Sequence, residues 1–167
     1  MMFNEFNRPE PPMTANPVEM LGAFLDLNRA TLLWKVSGLN DEQLRRPIVP
    51  SGTCLLGIMK HSAAVETVWF QIRFAGLDVP NAWSKDDPDG DWRIEPTDTS
   101  AAIIASYLDA CEKSRAIVRG ASWEDPSARE GREESLGWIL SHMLEEISRH
   151  VGHADILREQ IDGATGE

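Results

Sequence analysis

The stretch SLGWILSHMLEEISRHVGHADILREQIDG, residues 135–163, decides how the rest of the chain is read. Its apolar residues Leu136, Ile139, Leu140, Met143, Ile147, Val151, Ala154, Leu157 and Ile161 recur every three or four positions, the period of one helix face. The spacing predicts a helix from near Ser135 to about Ile161, with Gly163 placed to end it. At roughly 1.5 Å per residue this is a rod of about 40 Å, as long as a whole small domain.

A helix of that length needs partners, and three other stretches carry the same period. Asn16-Pro17 with Glu19 reads as a helix start, followed by Val18, Leu21, Leu25, Leu32 and Val36 and a stop at Gly38. The turn-rich NDEQLRRPIVPSG, residues 40–52, leads to a second helix beginning near Thr53 and ending before Gly76. Leu55, Ile58, Val65, Val68, Trp69 and Ile72 lie on its broad apolar face. A third helix is predicted from about Thr99 to Val118, with Ile104, Leu108, Cys111 and Val118 inward, and Trp69 and Trp138 read as core anchors. No period-two alternation or internal repeat competes. The expected fold is all-α, a four-helix bundle over residues 16–167 preceded by a proline-containing mobile arm, residues 1–15. Two connections, 77–97 and 121–134, are long for a compact bundle, and Trp83 and Trp92 in the first suggest a packed lid.

Composition narrows the function classes. The 167 residues suit one domain, and 42% hydrophobic with 26% charged residues is ordinary globular usage. Sixteen Lys and Arg against 27 Asp and Glu leave a net charge of −11, which repels nucleic-acid backbones and anionic membranes alike. Cys54 and Cys111 are too few for a disulfide framework and read as packing residues. With no signal pattern at the N-terminus and no apolar run of about 20 residues, a cytoplasmic protein is expected. There is no GxSxG, Walker A or HExxH motif, and SKDDPDGDW, residues 84–92, lacks the spacing and final Glu of a calcium loop.

The histidines carry the chemistry. His61 lies three residues after Ile58 and four before Val65, on or beside the core stripe of the second helix. His142, Glu146, His150 and His153 fall within one sector of about 80° on the fourth helix, flush with its apolar stripe. Polar groups at a core edge need partners, and a divalent transition metal would satisfy imidazoles and a carboxylate together. Glu146 and His150 have the i, i+4 spacing that puts two donors on one side of a helix, and His61 on a facing helix could supply a third. Three protein ligands leave a coordination position open, as catalytic sites require. Hydrogen-bonded core-edge histidines without metal are the plainer alternative. His142 and His153 could orient a ligand, serve as alternative ligands or simply be polar edge residues. Glu66 could serve the site or be a solvated or salt-bridged carboxylate.

GIMKHSAAVETVWF of the second helix, with HMLEEISRHVGHADILREQIDG of the fourth, resembles the DinB/YfiT-like superfamily of bacterial four-helix bundles. More narrowly it is similar to the branch related to mycothiol-dependent transferases and the N-terminal domain of maleylpyruvate isomerase. The resemblance implies a metal held by one histidine of the second helix and two residues four apart on the last. In the mycothiol branch the middle ligand is glutamate, so the positions here are His61, Glu146 and His150. The donor set suits zinc, with nickel or iron as alternatives, and the resemblance implies mycothiol as thiol cosubstrate. It also implies a homodimer.

The expected activity is therefore a metal-dependent thiol S-transferase, joining a low-molecular-weight thiol to an electrophilic small molecule; metal-assisted hydrolysis uses the same ion differently. The isomerase has a further C-terminal domain, whereas this sequence runs to Glu167 just after its fourth helix, which argues against maleylpyruvate isomerisation and leaves the electrophile open. The alternative is a non-enzymatic, stress-associated metal- or ligand-binding bundle. Solvent access to the metal position separates the two.

Overall fold

A computed structural model describes residues 8–166. The first helix, α1 (Pro17–Val36), begins where Asn16 Oδ1 accepts the Glu19 amide at 3.0 Å, with proline in the first turn. A five-residue helix, α2 (Asp41–Arg45), follows inside the stretch expected to be only turns. Its reciprocal capping box joins Asn40 Oδ1 to the Gln43 amide at 2.9 Å and Gln43 Oε1 to the Asn40 amide at 3.0 Å. Next, α3 (Leu55–Glu66) runs without a break into a π-helical segment, Thr67–Phe74, where the Ala75 amide reaches back five residues to the Phe70 carbonyl. Two long helices complete the set: α4 (Ser100–Val118), capped by Thr99, and α5 (Leu136–Asp162), capped by Ser135 and closed by Gly163 at φ +80°.

The result is an all-α bundle in which α1 packs chiefly on α5 and α3 chiefly on α4. No strand occurs among the described residues, only an isolated bridge between Pro126 and Ser135. Leu25, Leu32, Leu55, Ile58, Met59, Phe70, Tyr107, Leu136, Ile139 and Met143 form the centre of one core. Removing about 25 cal/mol per Å² of apolar surface from water is what drives these stripes together. No helix of the described chain is long and apolar enough to cross a membrane.

Two expectations about burial are corrected. On α4 the inward face carries Ile103, Tyr107, Ala110, Cys111 and Ser114, one position round from the Ile104–Leu108 line, and Leu108 is 48% exposed. Adjacent isoleucines leave that choice open in the sequence, and burying the large Tyr107 ring settles it. Trp138, read as a core anchor, is 49% exposed and lies against His142 instead. Glu66 takes the salt-bridged alternative and stands outside the candidate metal cluster: it is buried and receives Arg29 through Nε at 2.8 Å and Nη2 at 2.7 Å, tying α1 to α3 inside the core. Burial alone would lower the Arg29 pKa, but the charge and hydrogen bonds of Glu66, with smaller help from Cys111 and Asp26, together outweigh it and hold the guanidinium firmly protonated. Of the arm expected over 1–15, residues 1–7 lie outside the described residues, and 8–15 contain no helix.

Candidate metal centre

His61 projects from α3 towards α5, where Glu146 and His150 stand one turn apart. The loop between the π-helical segment and α4 closes over it. Gly57, one turn before His61, admits that loop: a Cβ there would lie 3.1 Å from the Trp92 carbonyl oxygen. Gly90 is needed for the same reason, since its Cβ would meet the Ala82 carbonyl oxygen at 2.5 Å. Lys60, adjacent to His61, pins the returning strand of the loop by donating to the Arg93 carbonyl at 2.7 Å and to Asp98 Oδ2 at 2.8 Å. The loop is thereby held in register with α3, and two consecutive residues reach the imidazole from different directions. Asp91, 3% exposed, accepts from His61 Nδ1 at 2.6 Å, while Trp92 stacks on the ring face with centroids 4.0 Å apart and planes 15° off parallel.

On the far side of the ring, His61 Nε2 lies 3.1 Å from Glu146 Oε1, and His150 Nε2 approaches the same oxygen at 3.0 Å. The donor atoms of His61, Glu146 and His150 all lie within 4.8 Å of one another. A carboxylate only accepts, so Asp91 takes the Nδ1–H of His61, and Nε2 faces Glu146 either with a second ring proton or with a lone pair aimed at a cation in that proton's place. Positive charge is required between them. Donors bound tetrahedrally at about 2.0–2.1 Å stand roughly 3.3 Å apart, close to the spacings seen here, and two imidazoles with one carboxylate form an ordinary set for zinc or a similar divalent ion. The residues fit the ion. The hydrogen bond to His150, then that to His61, holds the Glu146 carboxyl far below its usual range, so it is ionised at any physiological pH.

The other sequence candidates take different places. His142 is not in the cluster; it sits between Trp69 and Trp138, with ring centroids 4.4 and 5.2 Å away. His153 is exposed, its ring 5.7 Å from that of His150. His150 itself is 7% exposed, and its Nδ1 has no hydrogen-bond partner among the described residues, so none of their carboxylates orients it as Asp91 orients His61. Asp91 is the residue that sequence reasoning passed over. It belongs to the acidic loop set aside as a calcium site, and its only signal is the adjacency of an acid to Trp92. Of the two loop tryptophans, Trp92 covers the cluster and Trp83 lines a separate cavity.

Side-chain exposure of 21% for Glu146, 12% for His61 and 8% for His150 leaves the cluster reachable from the Glu146 side. An arrangement of this kind can hold a cation and still receive a small ligand. The model of the family described as Mycothiol-S-transferase matches residues 20–163, which contain all three donor residues together with Asp91 and Trp92. No curated protein matches the chain.

Proposed function

The chain belongs to the mycothiol-S-transferase family, and from that premise we propose that it is a divalent-metal-dependent thiol S-transferase whose metal ligands are His61, Glu146 and His150. Mycothiol is the thiol we assign to it. The observation that carries the reading is the convergence of two imidazole nitrogens on one carboxylate oxygen, at 3.1 and 3.0 Å, with the proton of one imidazole already committed to Asp91.

A divalent ion held there keeps positive charge beyond the single carboxylate and supplies the field that ionises a thiol at neutral pH. The protein's own residues prepare that position. Asp91 fixes the tautomer and the plane of His61, so that Nε2 rather than Nδ1 faces the cluster. Trp92 shields the ring face and lowers the local dielectric on that side, which strengthens every charge interaction within. Glu146, ionised throughout, needs no proton loss before it can act. In the reaction a sulfur–carbon bond forms to the electrophile, the thiol proton passes to solvent, and the displaced electron pair leaves with the leaving group or is protonated on carbon. The partial exposure of Glu146 favours this open-site reading over a sealed structural one.

Elemental analysis of untagged protein purified without chelator tests the proposal, beside His61→Ala and His150→Ala. Near-stoichiometric metal in the wild type and its loss in both variants is the expected result, followed by metal-dependent consumption of mycothiol with model electrophiles. Metal retained in both variants, or absent from the wild type after reconstitution, overturns the ligand set.

A further inference from the structure

Away from the metal centre, a cavity of about 360 Å³ opens at the end of the π-helical segment, where it meets the connection between α4 and α5. That connection is a small hairpin. The Ser127 amide donates to the Glu134 carbonyl at 2.9 Å, the Arg132 amide to the Arg129 carbonyl at 3.2 Å, and Gly131 supplies the positive φ of the turn at +74°. Its backbone is docked on the helix end: the Ala128 amide reaches the Phe74 carbonyl at 2.8 Å and the Arg129 amide the Arg73 carbonyl at 3.3 Å. A short, twice-anchored hairpin therefore presents Arg129 and Arg132 opposite Arg73, and all three line the cavity with Trp83, Asn81 and Asp78.

The charge there runs against the rest of the molecule, whose net charge is −11. Arg73 and Arg132 share one carboxylate oxygen, Glu134 Oε1, at 3.5 and 3.8 Å, well beyond the roughly 2.7–2.9 Å of a strong charge-assisted bond. Arg129 has no side-chain ion pair among the described residues, and Glu130 and Glu133 of the same hairpin do not line the cavity. Partial burial, then the Arg132 charge, holds the Arg73 pKa below its ordinary value against the pull of Glu134, as expected where positive charge is under-compensated. Arg73 is also fixed from below, its guanidinium lying 3.9 Å from the centroid of Trp69. Guanidinium forks match the paired oxygens of a carboxylate or phosphate, and three of them around one cavity concentrate that preference.

We propose that Arg73, Arg129 and Arg132 form a second ligand site, which binds the oxyanion group of a small carboxylate- or phosphate-bearing molecule. The site uses none of the metal-centre residues, so it stands or falls separately from the transferase reading.

Calorimetric titration of the protein with inorganic phosphate and with succinate, at fixed ionic strength, tests it against Arg129→Gln, Arg132→Gln and the charge-matched control Lys113→Gln. Lys113 is an exposed α4 residue paired with Asp109, remote in sequence from the hairpin. Saturable binding of at least one anion is expected, weakened about tenfold or more in both arginine variants and unchanged in Lys113→Gln; the tighter of the two anions assigns the site to phosphate or carboxylate ligands. Arg129 makes no ion pair whose loss could unfold the chain, so that variant keeps the test decisive if Arg132→Gln proves unstable. No saturable binding of either anion overturns the proposal. So does equal affinity in wild type and Arg129→Gln, which would place the anion at the metal centre or in bulk salt effects.

Discussion

Replacing Asp91 with alanine tests whether the loop is a working part of the proposed metal centre. The carboxylate is 3% exposed and accepts from His61 Nδ1 at 2.6 Å, a short charge-assisted contact that locks the ring with Nε2 towards Glu146 and His150. Without it, His61 can rotate or adopt the other tautomer. Partners of this kind are worth ten- to hundredfold in metal affinity, or about 1.4–2.8 kcal/mol. The upper half of that range is expected, because His150 has no corresponding partner at its Nδ1 among the described residues and His61 is the oriented member of the proposed ligand pair. Fold stability should change by only about 1 kcal/mol, since His61 remains partly exposed and its freed Nδ1–H can reach solvent. The assay is competition for Zn²⁺ against a chromophoric chelator at fixed pH, with thermal melting of the apo proteins alongside. Asp91→Asn should fall between wild type and Asp91→Ala, as its amide oxygen accepts but carries no charge. An Asp91→Ala protein that melts normally and binds Zn²⁺ within twofold of wild type would refute the reasoning.

Three further outcomes are expected. His142→Ala should leave Zn²⁺ affinity within about threefold, because its ring is committed to Trp69 and Trp138; a loss as large as that of a ligand would bring His142 to the metal. Glu66→Ala leaves the Arg29 guanidinium, 4% exposed, with only Asp26 for a partner, and urea titration should show about 3–5 kcal/mol of lost stability; less than 1 kcal/mol would mean the buried pair is readily replaced. Burial, with the Glu66 charge second, pushes the Cys111 thiol up to about 12 from its ordinary 9.0. A raised folded value means that this group's contribution to stability is whole below about pH 9 and is lost as the pH climbs towards 12. Alkylation of native Cys111 at pH 8.5 should accordingly run about a hundredfold or more slower than in denaturant, and equal rates would place the thiol in solvent.

The helices were legible because their signals are local. The Asn16 and Ser135 caps, the Gly163 stop and the three-or-four spacing of Leu136 to Ile161 each act within a few residues, and the structure ends α1 and α5 accordingly. What was illegible depended on tertiary competition. Ile103 and Ile104 offer α4 two equally apolar faces, and only the space available for Tyr107 chooses between them. Trp138 follows the α5 stripe in sequence but falls at its margin, where His142 rather than the core receives it. The five-residue α2 is too short to show a period and is betrayed only by its Asn40–Gln43 capping box.

The site divides along the same line. His61, Glu146 and His150 are placed by helix geometry, so the i, i+4 pair and a histidine beside a core stripe are enough to nominate them from the sequence. Asp91 could not be found that way, because it reaches His61 from 30 positions along the chain through a loop whose path obeys no period. That path is nonetheless guided: Gly90 removes a side chain that would block it, Gly57 eases its close approach to the helix, and Lys60 fastens its return to the helix carrying His61. Consecutive loop residues then serve different parts of one ring, Asp91 its Nδ1 edge and Trp92 its face. A shift of the loop by a single residue would deprive His61 of both contacts at once. The loop is therefore better regarded as the third wall of the proposed metal centre than as a lid over a site completed by the helices alone.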